Sequence, residues 1–174
     1  MAERSSVEKG WFHTSQFEIP KQCGGRIGAF VCGVGTGGTI TGGGRYLKAH
    51  APVVRIVLTD PVGSRLAHFV DRRHPDLDGP YLAEGIGGSE SPGVLDLSVI
   101  DEAERVSDEE SFAMTRRLIR EEGLLVGGSS GTVVAAALRV ATHGCDGPVV
   151  AILADSWDRY LSRPWIHATC MLTK

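Results

Sequence analysis

No apolar run in this 174-residue chain approaches the length of a membrane span. The stretch from Met1 to Gly10 has no apolar core of the secretory-signal kind. A surplus of positive charge is also lacking. The net charge is −3, and the longest basic clusters, Arg72-Arg73-His74 and Arg116-Arg117, are the size of a solvated face. Neither nucleic acid nor a membrane surface is therefore an expected partner. The six histidines are scattered without an i, i+4 pair, and Cys23, Cys32, Cys145 and Cys170 stand at no metal-ligand or redox spacing. No metal site is expected, Cys32 reads as a small core residue at the end of a strand, and the thiol pattern suits a reducing, cytoplasmic compartment. What remains, 42% hydrophobic and 22% charged residues, is the composition of a globular domain large enough for a real core.

Glycine, by contrast, is abundant and concentrated. Gly33-Val34-Gly35-Thr36-Gly37-Gly38-Thr39-Ile40-Thr41-Gly42-Gly43-Gly44 directly follows the apolar run Ile27–Cys32. The pattern predicts a strand over 27–32, a tight turn, and a helix over 39–50. Three glycines inside that helix each cost about 1 kcal/mol against alanine, so close packing against a sheet or ligand is expected there. Val53–Leu58 reads as the next strand, ending at Thr59-Asp60-Pro61. A strand–loop–helix–strand unit of this kind builds a parallel sheet. Residues 61–101 read as irregular, with a charged stretch at 71–78 and the short motif Glu84-Gly85-Ile86-Gly87. Ser107-Asp108-Glu109-Glu110 has the spacing of a capping box, opening an amphipathic helix to 122 that Gly123 stops. Leu124-Leu125-Val126 leads into a second small-residue turn, Gly127-Gly128-Ser129-Ser130-Gly131. An almost wholly apolar helix over 132–143 and a core strand over 148–153 complete the pattern. The expected fold is α/β, a parallel sheet flanked by helices, with both glycine turns at the carboxyl ends of strands, where such sheets bind ligands.

The first turn admits two chemistries. Gly33, Gly35 and Gly38 fit G-x-G-x-x-G, and Asp60 at the end of the next strand lies near the offset expected of a nicotinamide-dinucleotide site. That reading leaves Thr36, Thr39 and the second turn unused. Alternatively, a small phosphate monoester rests on the N–H groups of Gly35, Thr36, Gly37, Gly38 and Thr39, with the threonine hydroxyls as further donors. The second turn then offers a hydroxyl to another part of the same ligand. Ser129 is either that donor or a turn serine bonding its own backbone; Ser130 reads as a helix N-cap. Gly85 and Ile86 form either a tight turn with a core anchor or a wall on the substrate side.

Val34 to Gly42 resembles the phosphate loop of the pyridoxal-phosphate enzymes of the cysteine synthase and cystathionine β-synthase family. Further matching segments follow in the family's order: Glu84-Gly85-Ile86-Gly87, Leu95-Asp96, Glu121 to Leu125, Gly127 to Gly131, Ala154-Asp155-Ser156 and Arg159-Tyr160-Leu161-Ser162. Upstream, Gly10 to Phe17 is similar as well. Thr59-Asp60-Pro61 with Gly63-Ser64, and Gly127-Gly128 before the serines, resemble the cystathionine β-synthase branch more than the cysteine synthase branch. The resemblance implies the larger, C-terminal domain of a fold-type-II enzyme. It also implies pyridoxal 5′-phosphate as cofactor, with its phosphate on Gly35, Thr36, Gly37, Gly38 and Thr39 and its ring nitrogen beside Ser129. A serine there leaves the ring largely neutral, a weak electron sink suited to β-elimination and thiol addition.

The same resemblance exposes a gap. The family's lysine, which links to the cofactor aldehyde and moves the substrate proton, lies in an upstream segment with no counterpart here. Lys9, Lys21, Lys48 and Lys174 are the chain's lysines, and none has that context. No catalytic residue is therefore assigned. The expected organisation is a leader over 1–26, an α/β cofactor-binding domain over 27–163 and a divergent tail over 164–174. The expected function is β-replacement on serine or an activated serine, forming cystathionine or cysteine from a thiol or sulfide, in a truncated and inactive form. An amino-acid substrate and a homodimer are what the family implies. The alternatives are a non-catalytic cofactor-binding or dimer-partner module, and the dinucleotide-binding domain built on Asp60.

Overall fold

In the computed structural model, which describes residues 15–167, the elements run α1 (Ser15–Gln22), β1 (Ala29–Gly33), α2 (Gly38–His50), β2 (Arg55–Pro61), α3 (Leu66–Val70), β3 (Glu102–Val106), α4 (Asp108–Glu121), α5 (Gly128–Thr142), β4 (Val149–Ala151) and α6 (Pro164–His167). Single 3-10 turns lie at Leu97–Val99 and Trp157–Tyr160. The sheet order is β3-β2-β1-β4, and every pair is parallel. Most of the expected leader, including Lys9, and the tail beyond His167, including Cys170 and Lys174, lie outside the described residues.

Alternation along the central strands sorts side chains between two helical layers. Phe30, Cys32, Ile56 and Leu58 share one core with Ile40 and Leu47 of α2. Ala29, Val31 and Val57 share the other with Val133, Ala136 and Val140 of α5. Both faces are covered, so β1 and β2 read as continuous apolar runs. The expected tight packing of the α2 glycines is found at Gly44, where a Cβ would stand 3.0 Å from Val99 Cγ2 and 3.5 Å from Ile56 Cγ2.

Several element boundaries differ from the sequence pattern. Val53 is 87% exposed because the chain reverses there after α2, so β2 starts at Arg55 and runs on through Pro61. β4 is shortened to Val149–Ala151, where it pairs with Ala29–Val31. β3 arises in a charged segment, Glu-Ala-Glu-Arg-Val, with no continuous apolar run; as the outer neighbour of β2 it buries Ala103 and Val106 and leaves the charged side chains partly exposed. The capping box is present as expected: Ser107 Oγ accepts from Glu110 N–H at 3.2 Å, and Ser107 N–H donates to Glu110 Oε2 at 3.1 Å. Trp165, in the tail, stacks on Phe112 of α4 with ring centroids 4.6 Å apart.

Candidate functional site

The first glycine turn leaves a helix end open. Gly37 is the N-cap of α2 at φ +87°, a left-handed conformation that favours glycine, and no side chain caps the helix. The first-turn N–H groups and the positive end of the helix dipole are thus available to an anion. A Cβ on Gly38 would meet nothing closer than Thr36 Oγ1 at 3.9 Å, so a methyl group would fit beside that helix end.

The long segment after β2 folds back to wall this turn. Gly87 N–H donates to Val34 O at 2.8 Å. Beside it, a Cβ on Gly35 would come within 2.7 Å of Gly85 O, and one on Gly33 within 2.6 Å of Ile86 Cγ2. The Thr41 hydroxyl donates to Val94 O at 3.1 Å and accepts from Asp96 N–H at 3.0 Å. That pins Leu95 against Gly37, whose Cβ would lie 3.0 Å from Leu95 N.

The second turn is built by packing. Gly127 caps α5 at φ −80°, an ordinary conformation, but a Cβ there would collide with Asp155 Oδ1 and sit 2.5 Å from Tyr160 Cε2. Gly127 N–H donates to Asp155 O at 3.2 Å, and the Tyr160 hydroxyl donates to Asp155 Oδ2. Burial and then the adjacent carboxylate push the Tyr160 phenol up, which keeps it a donor. The Ser129 hydroxyl, almost fully buried, donates to Asp155 Oδ1 at 3.5 Å rather than to its own turn. Ser130 is not the N-cap the sequence pattern suggests. The helix starts at Gly128, because a cap position crowded by Asp155 and Tyr160 admits only glycine; Ser130 falls inside the first turn, fully buried.

Gly35, Thr36 and Thr39 from the first turn, Gly85 and Ile86 from the folded-back segment, and Ser129 from the second turn all line one cavity of about 320 Å³. Gly37 and Gly38 are not among its lining residues. Cys32, Val133, Ile152 and Ala154 complete the wall. Sequence patterning did not single these four out as a wall; an alternating strand residue or a buried helix residue carries no local mark of facing a cavity. Cys32 is buried, donates to Gly33 O at 3.1 Å, and burial raises its thiol pKa to about 12.

Asp60 does not line the cavity. It is fully buried, its Oδ2 accepts from Ala67 N–H at 2.8 Å near the start of α3, and burial above all raises its pKa. Nor does either described lysine line it: Lys48 pairs with Asp101 at 2.7 Å, and Lys21 is exposed on α1. Among the described residues no cluster of three His, Cys, Asp or Glu side chains suits a metal ion, and no helix is long and apolar enough to cross a membrane.

Comparison with known proteins gives this geometry a context. The model of the family described as pyridoxal-phosphate dependent enzyme matches residues 4–155. The chain is 44% identical over 153 residues to a cystathionine beta-synthase of Apis mellifera, covering 87% of this chain and 30% of that protein. It is 40% identical over 154 residues to a cysteine synthase of Helicobacter pylori, covering 88% and 48% respectively. A crystal structure of an O-acetylserine dependent cystathionine beta-synthase from Helicobacter pylori superposes with a TM-score of 0.76 at 41% identity, covering 87% of this chain and 47% of that one. The chain thus spans less than half the length of each of these relatives.

Proposed function

Because the chain belongs to the family of pyridoxal-phosphate dependent enzymes, we propose that its two glycine turns hold pyridoxal 5′-phosphate between them. The observation that carries this reading is the single cavity lined from both turns. Its volume, about 320 Å³, is at the small end of ligand pockets, which run from about 300 to 1,000 Å³. One substituted ring with one phosphate suits that space better than a dinucleotide does. The uncapped first turn of α2 and the Thr36 and Thr39 hydroxyls bind the phosphate. Ser129, reaching in from α5, meets the ring nitrogen. Gly85 and Ile86 form the wall on the substrate side.

When bound, the cofactor supplies an electron sink for β-replacement on serine or an activated serine, with a thiol or sulfide as the incoming group. The chain's own residues bind and orient the cofactor. Among the described residues no lysine lines the cavity to anchor its aldehyde or to move the substrate proton. We therefore read these 174 residues as a cofactor-holding half-site that does not turn over by itself. The lack of a lysine among the described lining residues also supports a second reading, a cofactor-binding or dimer-partner module without chemistry of its own.

Titration of the chain with pyridoxal 5′-phosphate, followed by ligand absorbance, tests the proposal. Saturable binding that inorganic phosphate competes away is expected, with no turnover of serine or O-acetylserine with homocysteine or sulfide. Turnover at ordinary enzyme rates, about 1–10³ s⁻¹, would overturn the half-site reading. Saturable NAD binding lost in Asp60→Asn would overturn the cofactor assignment.

A further inference from the structure

We infer that Asp108, which does not line the cavity, is a positioning residue that sets the Gly85-Ile86 wall by gripping the backbone just before it. The inference rests on the reading that the cavity holds a phosphate-bearing ring, and it deepens that reading by naming what fixes the opposite side.

Local sequence fixes where this carboxylate stands. The capping box of Ser107 and Glu110 starts α4, so Asp108 is its first residue, where the helix dipole favours a negative charge. From there Asp108 Oδ2 accepts from Leu82 N–H at 2.8 Å, and Oδ1 accepts from Ala83 N–H at 3.1 Å. Two successive backbone donors thus meet two oxygens of one ionised group, which accepts on both. Ala83 is buried, so its N–H has no water to replace a lost partner. Past the wall, Gly88 is held as firmly. Ser64 Oγ donates to Gly88 O at 3.1 Å and accepts from Gly88 N–H at 2.9 Å, and Arg65 N–H donates to Gly88 O at 3.0 Å. Residues 84–87 therefore span two fixed points, with Gly85 and Gly87 both at positive φ. This short span carries Gly85 O close to Gly35 and Ile86 close to Gly33, so a shift at either end changes the width of the cavity. Glu84 within the span also pairs with Arg163 at 2.6 Å, but both side chains are about half exposed and water screens them. The Asp108 bonds are charge-assisted, about twice as strong as neutral ones, and one of them reaches a buried donor, so they are the stronger hold.

The test titrates the full chain with pyridoxine 5′-phosphate, which has the ring and the phosphate but no aldehyde, and with inorganic phosphate as its competitor. The readout is the ratio of the two affinities, because a general loss of stability lowers both together whereas a displaced wall acts on the ring. Asp108→Asn keeps the shape but has one acceptor and turns an amide donor toward the second N–H. It should weaken pyridoxine 5′-phosphate about fivefold, the scale of one net hydrogen bond, and leave inorganic phosphate unchanged. Asp108→Glu keeps both oxygens and should recover most of that loss. Glu109→Gln removes the same charge from an exposed residue of the same helical turn and should leave the ratio unchanged. If Asp108→Asn does not fold, Asp108→Ser, with one oxygen for two donors, decides on the same ratio: a fall supports the inference and no change overturns it. An unchanged ratio in folded Asp108→Asn, no recovery in Asp108→Glu, or an equal loss in Glu109→Gln overturns the inference and leaves the cofactor site standing. Failure of pyridoxine 5′-phosphate to bind the unaltered chain overturns both.

Discussion

The two glycine turns look alike in sequence and use their glycines for different reasons. In the first, Gly37 sits at φ +87° and its α-carbon faces the Leu95 backbone, while Gly38 borders open space. Glycine there sets a backbone path and leaves a helix end uncovered. In the second, no glycine has a positive φ. Gly127, Gly128 and Gly131 instead let side chains and a neighbouring helix come close: Asp155 and Tyr160 onto Gly127, Phe112 and Trp165 onto Gly128, Ser111 and Thr115 of α4 onto Gly131. One turn is shaped for a guest, the other for the protein's own packing, with Ser129 as its single contribution to the cavity.

Substitutions can break or sharpen that contrast. The largest effect is expected at Gly131, where a Cβ would overlap Ser111 O and Thr115 Oγ1 and lie 2.8 Å from Thr115 N. Gly131→Ala should cost about 3 kcal/mol or more of stability in urea unfolding; a cost below that of Gly37→Ala would end the packing account of the second turn. Gly37→Ala should cost about 2 kcal/mol, from the left-handed conformation and the approach to Leu95.

A smaller effect contrasts two helix ends, α4 closed by its own side chains and α2 left open. Ser107→Ala should cost about 1 kcal/mol at neutral pH. Glu110 is held below the ordinary carboxylate range, first by Ser107 N–H and also by Arg139. A carboxyl depressed in the folded state stabilises above its unfolded pKa, and that contribution is lost as pH falls through the folded one. The stability difference between the chain and Glu110→Gln should therefore shrink in acid, measured as urea midpoints at neutral and acid pH. The smallest stability effect, and of opposite sign, belongs to Gly38→Ala, which gains about 0.5 kcal/mol from helix propensity. It should nonetheless weaken pyridoxal phosphate binding at least tenfold, about 1.4 kcal/mol, by placing a methyl group in the open space beside the helix end proposed to hold the phosphate. Unchanged affinity by titration would separate that space from the phosphate.

The two turns and the capping box were legible beforehand, because their signals are local; the contrast between the turns was not. A glycine-rich turn after an apolar run, and a capping box at i and i+3, are set by neighbours in sequence. What was not legible depends on distant segments. The charged strand Glu102–Val106 has too little apolar alternation to announce itself and exists because β2 offers it an edge. The N-cap misassigned to Ser130 moved to Gly127 because Asp155 and Tyr160, about thirty residues on, crowd that position. The place of Cys32, Val133, Ile152 and Ala154 around the cavity follows from the register that brings β1, α5 and the segment after β4 together, and no window along the chain contains it.

Cys32 shows what that register does to a reactive group. Cys32 lines the cavity, yet burial pushes its thiol up to about 12, so it is essentially un-ionised at neutral pH. An electrophilic visitor therefore meets no competing thiolate on this side. In a native-state alkylation experiment Cys32 should stay silent while Cys23 and Cys145, both partly accessible, take up label.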